Sequence, residues 1–142
     1  MKTILIVEDD RFIAELYQEG LNEAGYKTEI CANGNSAIAR LKKEEPPDLV
    51  ILDIMLPGTS GPEVLGFIRS EESLKTLPVI VLSNASAYAD DLVRRTQMQG
   101  ANVCLTKAEC TPARLLEEVQ GALAAVAPRP DSEPPEVRRI LL

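Results

Sequence analysis

The amino-acid sequence predicts a doubly wound α/β domain, built on a five-stranded parallel sheet with helices on both faces. Two observations predict this fold class. Five short apolar segments alternate with five stretches of helical periodicity along the chain. The apolar segments are continuous, which is typical of strands buried on both faces in parallel sheets. Right-handed helical connections between such strands give the doubly wound arrangement.

Thr3–Val7 is the first predicted strand, and a helix over Arg11–Ala24 is predicted to follow it. The helix is predicted because apolar side chains recur at helical spacing and Gly25 provides a stop. Its inward stripe is predicted to consist of Phe12, Ile13, Leu16, Tyr17 and Leu21.

The next two strands flank a shorter helix. Tyr26–Cys31 is predicted to be a strand, although its apolar character is weaker. The helix over Ser36–Glu44 directs Ile38 and Leu41 inward and ends before a Pro-Pro pair. Leu49–Leu52 is apolar without interruption, which predicts a central strand.

The third helix has a clear start signal. Ser60 and Glu63 have the spacing of a capping box, and Pro62 lies in the first turn. These residues open a helix that is predicted to run through Val64, Leu65 and Ile68.

Two further strands and two further helices complete the pattern. Strands are predicted at Val79–Leu82 and Val103–Leu105, with a helix over Tyr88–Gln99 between them. Thr111 as cap and Pro112 as first residue start the last helix. Its inward residues are predicted to be Leu115, Leu116, Val119, Leu123 and Val126.

A chain of 142 residues fits one domain of this class, with the strand order 2-1-3-4-5 of flavodoxin-like folds. We expect the domain to span residues 1–127 and a Pro-rich linker or tail to span 128–142. Arg138–Leu142 resembles Lys2–Ile6. The final residues therefore either lead into a further, similar domain or form a small amphipathic tail.

The composition excludes several classes of function. A net charge of −7 disfavours direct binding to nucleic acid. The absence of histidine excludes Ser-His and Cys-His nucleophile pairs, histidine zinc sites and a phosphohistidine within this chain. The three cysteines fit no metal-binding spacing, so a reducing cytoplasm is the simplest interpretation. No apolar segment suits a signal peptide or a membrane span, and no membrane association is predicted.

Polar side chains follow four of the predicted strands, at the edge where open parallel sheets bind ligands. In strand order they are Glu8, Asp9 and Asp10; Asp53; Ser83; and Lys107. Two carboxylates about 4 Å apart repel by roughly 4 kcal/mol at an effective dielectric constant near 20. Protonation, an ammonium group or a hard cation must relieve this repulsion. Oxygen-only ligands favour magnesium, or manganese in its place.

Asp53 is predicted to be a nucleophile for phosphoryl transfer. A carboxylate is already ionised and needs no general base, and a metal, Ser83 and Lys107 can neutralise the phosphoryl charge. Each residue also has a structural interpretation. Asp9 or Asp10 can cap the next helix. Asp53 can be a turn residue, Ser83 can form a local hydrogen bond, and Lys107 can be a solvated surface residue. Their placement at one sheet edge favours the functional interpretation.

The motifs at these strand ends resemble the receiver domain of bacterial two-component response regulators, over about residues 1–125. The matching segments are Ile4-Leu5-Ile6-Val7-Glu8-Asp9-Asp10; Leu52-Asp53-Ile54-Met55-Leu56-Pro57 with Gly61; Val81-Leu82-Ser83; and Thr106-Lys107. As an ordered set with these intervals, they make a strong match to that family, although any single segment would be weak evidence.

The resemblance implies that Asp53 is the phosphoacceptor. Its phosphoryl group would come from a histidine on a sensor histidine kinase or a histidine phosphotransfer protein. Ser83 matches the hydroxyl that closes on the phosphoryl group, and Lys107 matches the lysine that pairs with it. The absence of histidine from this chain agrees with a donor in another protein.

The resemblance also implies a Mg²⁺ site, at which Mn²⁺ can replace the magnesium. Asp9 matches the direct acidic ligand, and Glu8 matches the neighbour that acts largely through water. Asp53 and the backbone carbonyl of Met55 match the other protein ligands.

Three positions depart from the usual family pattern. Ala108 stands where a proline usually follows the lysine, Cys104 replaces the usual aromatic residue, and Asn84 replaces a small residue. We therefore expect phosphorylation to be retained and the output route to a downstream effector protein or domain to be altered.

Two alternatives stay open. The first is a phosphorylation-independent interaction module that keeps the fold. The second is a small aspartyl phosphatase, which would need an acid/base two residues after the nucleophile. Met55 occupies that position and cannot transfer a proton. We therefore expect no enzyme activity beyond phosphorylation and dephosphorylation of the chain itself.

Overall fold

The computed structural model describes residues 1–43, 45–84 and 87–125, with only the backbone described at 87–89. Its five strands are β1 (Thr3–Val7), β2 (Lys27–Cys31), β3 (Leu49–Asp53), β4 (Val79–Ser83) and β5 (Val103–Thr106). All neighbouring strands are parallel, and their order is β2-β1-β3-β4-β5. The predicted fold class and strand order are confirmed.

Each strand connects to the next through a helix, and a fifth helix follows β5. The helices are α1 (Arg11–Glu23), α2 (Gly34–Lys43), α3 (Gly61–Ser70), α4 (Ala87–Met98) and α5 (Pro112–Ala125). The observed helix ends lie within two residues of the predicted ends wherever the structure describes the residues concerned. Glu44, Val126 and the predicted linker over 128–142 lie outside the described residues. None of the helices in the described ranges has the length and apolar character needed to span a membrane.

The sheet separates two apolar clusters because successive strand residues point to opposite faces. Leu5 and Val7 of β1 contribute to the cluster under α2 and α3, whereas Ile4 and Ile6 contribute to the cluster under α1 and α5. Strands β3 and β4 are buried along their whole length. The carboxyl ends of β1, β3 and β4 therefore open at one edge between the two helical layers.

Side-chain hydrogen bonds cap the N-termini of α1, α3 and α5. The caps of α3 and α5 are the predicted ones, and the cap of α1 is one of the two residues that the sequence left open. The Asp10 carboxylate accepts a hydrogen bond from the Ile13 backbone N–H at 3.2 Å. Ser60 Oγ accepts from the Glu63 N–H at 3.3 Å, and Thr111 Oγ1 accepts from the Arg114 N–H at 3.1 Å. Asp10 is thus the cap of α1, which leaves Asp9 available to the sheet edge.

The predicted inward stripe of α1 is partly wrong. Phe12 is 76% exposed and Leu16 is 41% exposed. Tyr17 and Leu21 are buried as predicted, and Ile13 is partly buried against the core. Ala14, which was not predicted, is also buried, and its spacing of three and seven from Tyr17 and Leu21 places it on the same narrow face. Phe12 and Leu16 are also one turn apart, but they lie on an adjacent face that the sheet does not cover.

Helix α4 packs less tightly than the helix before it. Among residues 90–98, Thr96 has the only buried side chain, and Leu92 and Val93 are partly buried against the core. Helix α3 buries Val64 and Ile68 completely, together with Leu65. The layer on this side of the sheet is therefore held mainly by α2 and α3.

Candidate functional site

Three carboxyl groups meet at the carboxyl edge of β1 and β3. One carboxylate oxygen from each of Glu8, Asp9 and Asp53 lies within 4.8 Å of the other two. Glu8 and Asp53 are each only 2% exposed, and Asp9 is exposed. The residues come together because β1 and β3 are adjacent parallel strands that end at the same level. This is the carboxylate cluster that the sequence predicts.

Lys107 joins the two buried carboxylates. Its Nζ donates a hydrogen bond to Asp53 Oδ2 at 2.9 Å and lies 2.7 Å from Glu8 Oε1. The Lys107 backbone N–H donates to the Ser83 carbonyl oxygen at 2.7 Å, which fixes the residue just beyond β5. The pairing with Asp53 agrees with the prediction, and the pairing with Glu8 is an additional finding.

Met55 and Ser83 lie at the same edge of the sheet. The Met55 backbone N–H donates to Asp53 Oδ1 at 3.0 Å. Ser83 is 4% exposed and ends β4, the strand next to β3. The second Asp53 oxygen is therefore held by the chain that follows it, and the six predicted site residues lie along one sheet edge.

Burial controls the charge of Glu8. Loss of solvent raises the pKa of the Glu8 carboxyl to about 7, although its contact with Lys107 opposes the shift. Burial alone would lower the pKa of Lys107, but its contacts with Glu8 and Asp53 outweigh burial and raise it. Lys107 therefore stays charged at neutral pH, while Glu8 has a proton to lose in that range.

The metal-free protein is expected to lose stability between pH 4.5 and about 7 through Glu8. As pH rises above the ordinary pKa of 4.5, the unfolded chain releases the Glu8 proton first, whereas the folded chain keeps it until about pH 7. The folded state therefore binds more protons over this window, and the free energy of unfolding falls with pH. Below this pH range Glu8 is protonated in both the folded and the unfolded chain. Above it Glu8 is ionised in both, and the free energy of unfolding has lost its full contribution from this group.

Urea unfolding in EDTA, followed by circular dichroism from pH 4.5 to pH 8, measures this effect. The matched variant is Glu8→Gln, which keeps the shape and cannot ionise. Its stability relative to the wild type should increase across the window. A difference that is the same at every pH would contradict the assignment to Glu8.

The residues of the cluster fit a magnesium ion. Three carboxylates face one ammonium group, so a net negative charge remains. Glu8 Oε1 is buried and accepts no aligned hydrogen bond from any described residue, although it is ion-paired with Lys107. An all-oxygen donor set with an incompletely satisfied carboxylate suits Mg²⁺ or Mn²⁺. The described residues supply no nitrogen or sulfur ligand at this cluster.

Two glycines shape the loop between β3 and α3, and sequence reasoning did not give either one a structural role. A Cβ added at Gly61 would lie 2.6 Å from Ile54 Cα and 2.7 Å from the Asp53 carbonyl oxygen. A Cβ added at Gly34 would lie 2.9 Å from Thr59 Cβ and closer still to the Thr59 carbonyl oxygen. Gly61 could be singled out in the sequence because it belongs to the family motif. Gly34 could not, because its contact is with Thr59, which is distant in sequence.

The three departures from the family pattern lie at or beyond the site. Asn84 and Ala108 are exposed. Cys104 is half-buried, and its Sγ lies 4.0 Å from the hydroxyl of Thr96 on α4. Burial raises the pKa of the Cys104 thiol. Cys104 thus meets the α4 side of the sheet with a short thiol side chain, where the family usually has an aromatic residue.

Comparison with known sequences agrees with this architecture. Residues 4–120 match the family model of the response regulator receiver domain. The polar-differentiation response regulator DivK of Brucella anthropi is 30% identical over 86% of this chain and 96% of its own length. The phosphate regulon transcriptional regulatory protein PhoB of Pseudomonas aeruginosa is 34% identical over 99% of this chain, which spans 60% of that protein.

Comparison with solved structures gives the same result. The receiver domain of a signal transduction histidine kinase from Syntrophus aciditrophicus has a TM-score of 0.82 and 32% identity, covering 95% of this chain and 99% of that one. The chemotaxis response regulator CheY4 of Vibrio cholerae has a TM-score of 0.77 and 27% identity, and the match covers 86% of this chain and 98% of that one. With its fold, its clustered carboxylates and these matches taken together, the chain belongs to the response regulator receiver domain family.

Proposed function

We propose that this receiver domain accepts a phosphoryl group on Asp53 in a magnesium-dependent reaction and signals by a change of conformation. The donor would be the phosphohistidine of a sensor histidine kinase or a histidine phosphotransfer protein, and the receiver of the signal would be an effector protein or domain. The observation that carries the proposal is the position of Asp53. It is a buried carboxylate held by Lys107 and by the Met55 N–H, beside two further carboxylates.

The proposed transfer needs no base from this chain. An Asp53 carboxylate oxygen forms a bond to phosphorus, and the bond from phosphorus to the donor imidazole nitrogen breaks. The electron pair of that bond stays on the imidazole nitrogen, which is then protonated by solvent. Because the Asp53 carboxylate attacks in its ionised form, the chain has to position it and neutralise the incoming charge.

Lys107 and Ser83 are the side chains proposed to meet that charge. The Lys107 ammonium already lies 2.9 Å from an Asp53 oxygen, and its raised pKa keeps it charged. Glu8, Asp9, Asp53 and the Met55 carbonyl would hold Mg²⁺. When bound, the metal supplies positive charge to the phosphoryl oxygens.

Labelling of the wild-type protein with acetyl phosphate tests the proposal. We expect a mass increase of one phosphoryl group in MgCl₂, none in EDTA, and uptake of beryllofluoride detected by fluorine NMR only when Mg²⁺ is present. Failure to bind Mg²⁺ and to label under these conditions would overturn the proposal.

A phosphorylation-independent interaction module is the second candidate. Two residues favour it. Cys104, which contacts Thr96 on α4, stands where the family usually has an aromatic residue, and Ala108 stands where it usually has a proline, so the usual coupling between the site and α4 is altered. In that case a partner protein would bind wild type and Asp53→Ala equally, in the presence or absence of Mg²⁺. A loss of partner binding in the variant, or a gain on phosphorylation, would reject this candidate.

A further inference from the structure

The first turn of α2 contacts the loop between β3 and α3, outside the carboxylate cluster. Gly34 is buried, and the backbone at this position lies so close to Thr59 that no Cβ fits between them. Beside it, the Thr59 hydroxyl donates a hydrogen bond to the side-chain oxygen of Asn35. The contact therefore combines a steric approach of two backbones with one side-chain hydrogen bond.

The segment around Gly34 also reaches the other half of the site. The Cys31 carbonyl oxygen accepts a hydrogen bond from the Glu8 backbone N–H at 3.0 Å. The Asn33 side chain caps α2 by accepting from the Ser36 N–H at 2.8 Å, which fixes the direction of the turn. Residues 31–35 therefore bridge the two chain segments that carry Glu8 and Met55.

The loop that receives this contact is held at Met55, whose N–H donates to Asp53 Oδ1, and at Leu56, which packs against the core, but its next two residues are exposed. Met55 is 37% exposed, Gly58 has a φ of +71°, and both Pro57 and Gly58 are exposed. The Gly61 N–H closes the loop on the Ile54 carbonyl oxygen at 3.2 Å. Between these ends, the contacts of Thr59 limit the conformations that the loop adopts. A loop ordered in advance binds its ligand more tightly because less conformational entropy is lost on binding.

We propose that Gly34 and Thr59 are positioning residues, and that their contact holds the β3–α3 loop so that the Met55 backbone stays at the metal site. The inference rests on the proposed function of that site. It predicts that weakening the contact lowers Mg²⁺ affinity through Met55, without touching any of the carboxylates.

The pair Thr59→Val and Thr59→Ser tests the hydrogen bond at nearly constant shape. Titration with MgCl₂ followed by amide NMR should show about tenfold weaker binding for the valine variant, as for other residues that orient ligands. The serine variant keeps the hydroxyl and should bind Mg²⁺ like the wild type. In metal-free protein, hydrogen exchange at the Met55 N–H should accelerate in the valine variant, while exchange at the Val50 N–H in the core should not change.

Gly34→Ala tests the steric contact, with Gly121→Ala on α5 as its control because a Cβ there meets no atom within 4 Å. We expect a larger loss of Mg²⁺ affinity than in Thr59→Val, and no loss in the control. Wild-type Mg²⁺ affinity and Met55 exchange in Thr59→Val would overturn the inference, even if Gly34→Ala unfolds. A wild-type protein that binds no Mg²⁺, with Met55 exchange still accelerated in the variant, would instead overturn the proposed function.

Discussion

Replacement of Asp53 by asparagine is expected to abolish labelling of the protein by acetyl phosphate while the protein stays folded. The amide has nearly the same shape, but it lacks the anionic oxygen that attacks phosphorus. Burial raises the pKa of Glu8 to about 7, so much of that carboxyl group is protonated at neutral pH and does not attack phosphorus. Asp9 is exposed and is not enclosed as Asp53 is. Removal of one buried charge beside Glu8 also relieves repulsion, so metal-free Asp53→Asn should melt at or above the wild-type temperature.

Intact-protein mass spectrometry after incubation with acetyl phosphate and MgCl₂ measures the labelling, and circular dichroism measures the melting temperature. Asp91→Asn is the matched control, because that carboxyl group is 80% exposed on α4. It should label like the wild type. Labelling of Asp53→Asn at the wild-type rate would place the acceptor elsewhere.

Replacement of Gly61 by alanine is expected to affect both stability and labelling. The new Cβ would lie 2.6 Å from Ile54 Cα, 2.7 Å from the Asp53 carbonyl oxygen and 2.8 Å from the Ile54 carbonyl oxygen. All three are backbone atoms, so the clash is relieved only by a shift of β3 or of α3. We expect a destabilisation of about 3 kcal/mol, which lowers the melting temperature by roughly 10 °C.

The same shift moves the acceptor carboxylate. A displacement of about 1 Å reduces a positioned reaction on the order of a hundredfold, so acetyl phosphate labelling should slow by that factor in the fraction that is folded. Gly66→Ala on the same helix is the control, because its nearest neighbour is the flexible Gln99 amide at 3.3 Å. A Gly61→Ala protein with the wild-type melting temperature and labelling rate would contradict the close packing of α3 on β3.

Much of the site could be predicted from the sequence because the chain order of a parallel sheet dictates what its edge carries. Asp53 and Lys107 each stand where a strand ends, so the topology alone brings them together. The ion pair between Lys107 and Glu8 was not predicted, since it depends on how deeply Glu8 is buried. Sequence patterning also left the choice between Asp9 and Asp10 open, and the hydrogen bond from the Ile13 N–H assigns Asp10 to the helix cap.

What the sequence did not predict depends on distances between elements. The exposure of Phe12 and Leu16 follows from how α1 lies on the sheet, because helical periodicity does not determine how wide the covered face is. The approach of Gly34 to Thr59 joins an α2 residue to a loop 25 positions later. Hydrophobic periodicity and turn signals involve neighbouring residues only, so they do not predict a contact between residues this far apart in the sequence.

The sparse burial of α4 has a consequence for the energy landscape of the domain. A helix with a single enclosed threonine, over the part that the structure describes, forfeits little apolar contact when it lifts from the sheet. Its amide protons should therefore exchange through local opening at a free energy well below that of global unfolding, whereas those of α3 should not. Any partner or modification that interacts better with the opened helix than with the seated one would shift this local equilibrium by the difference between the two interaction free energies.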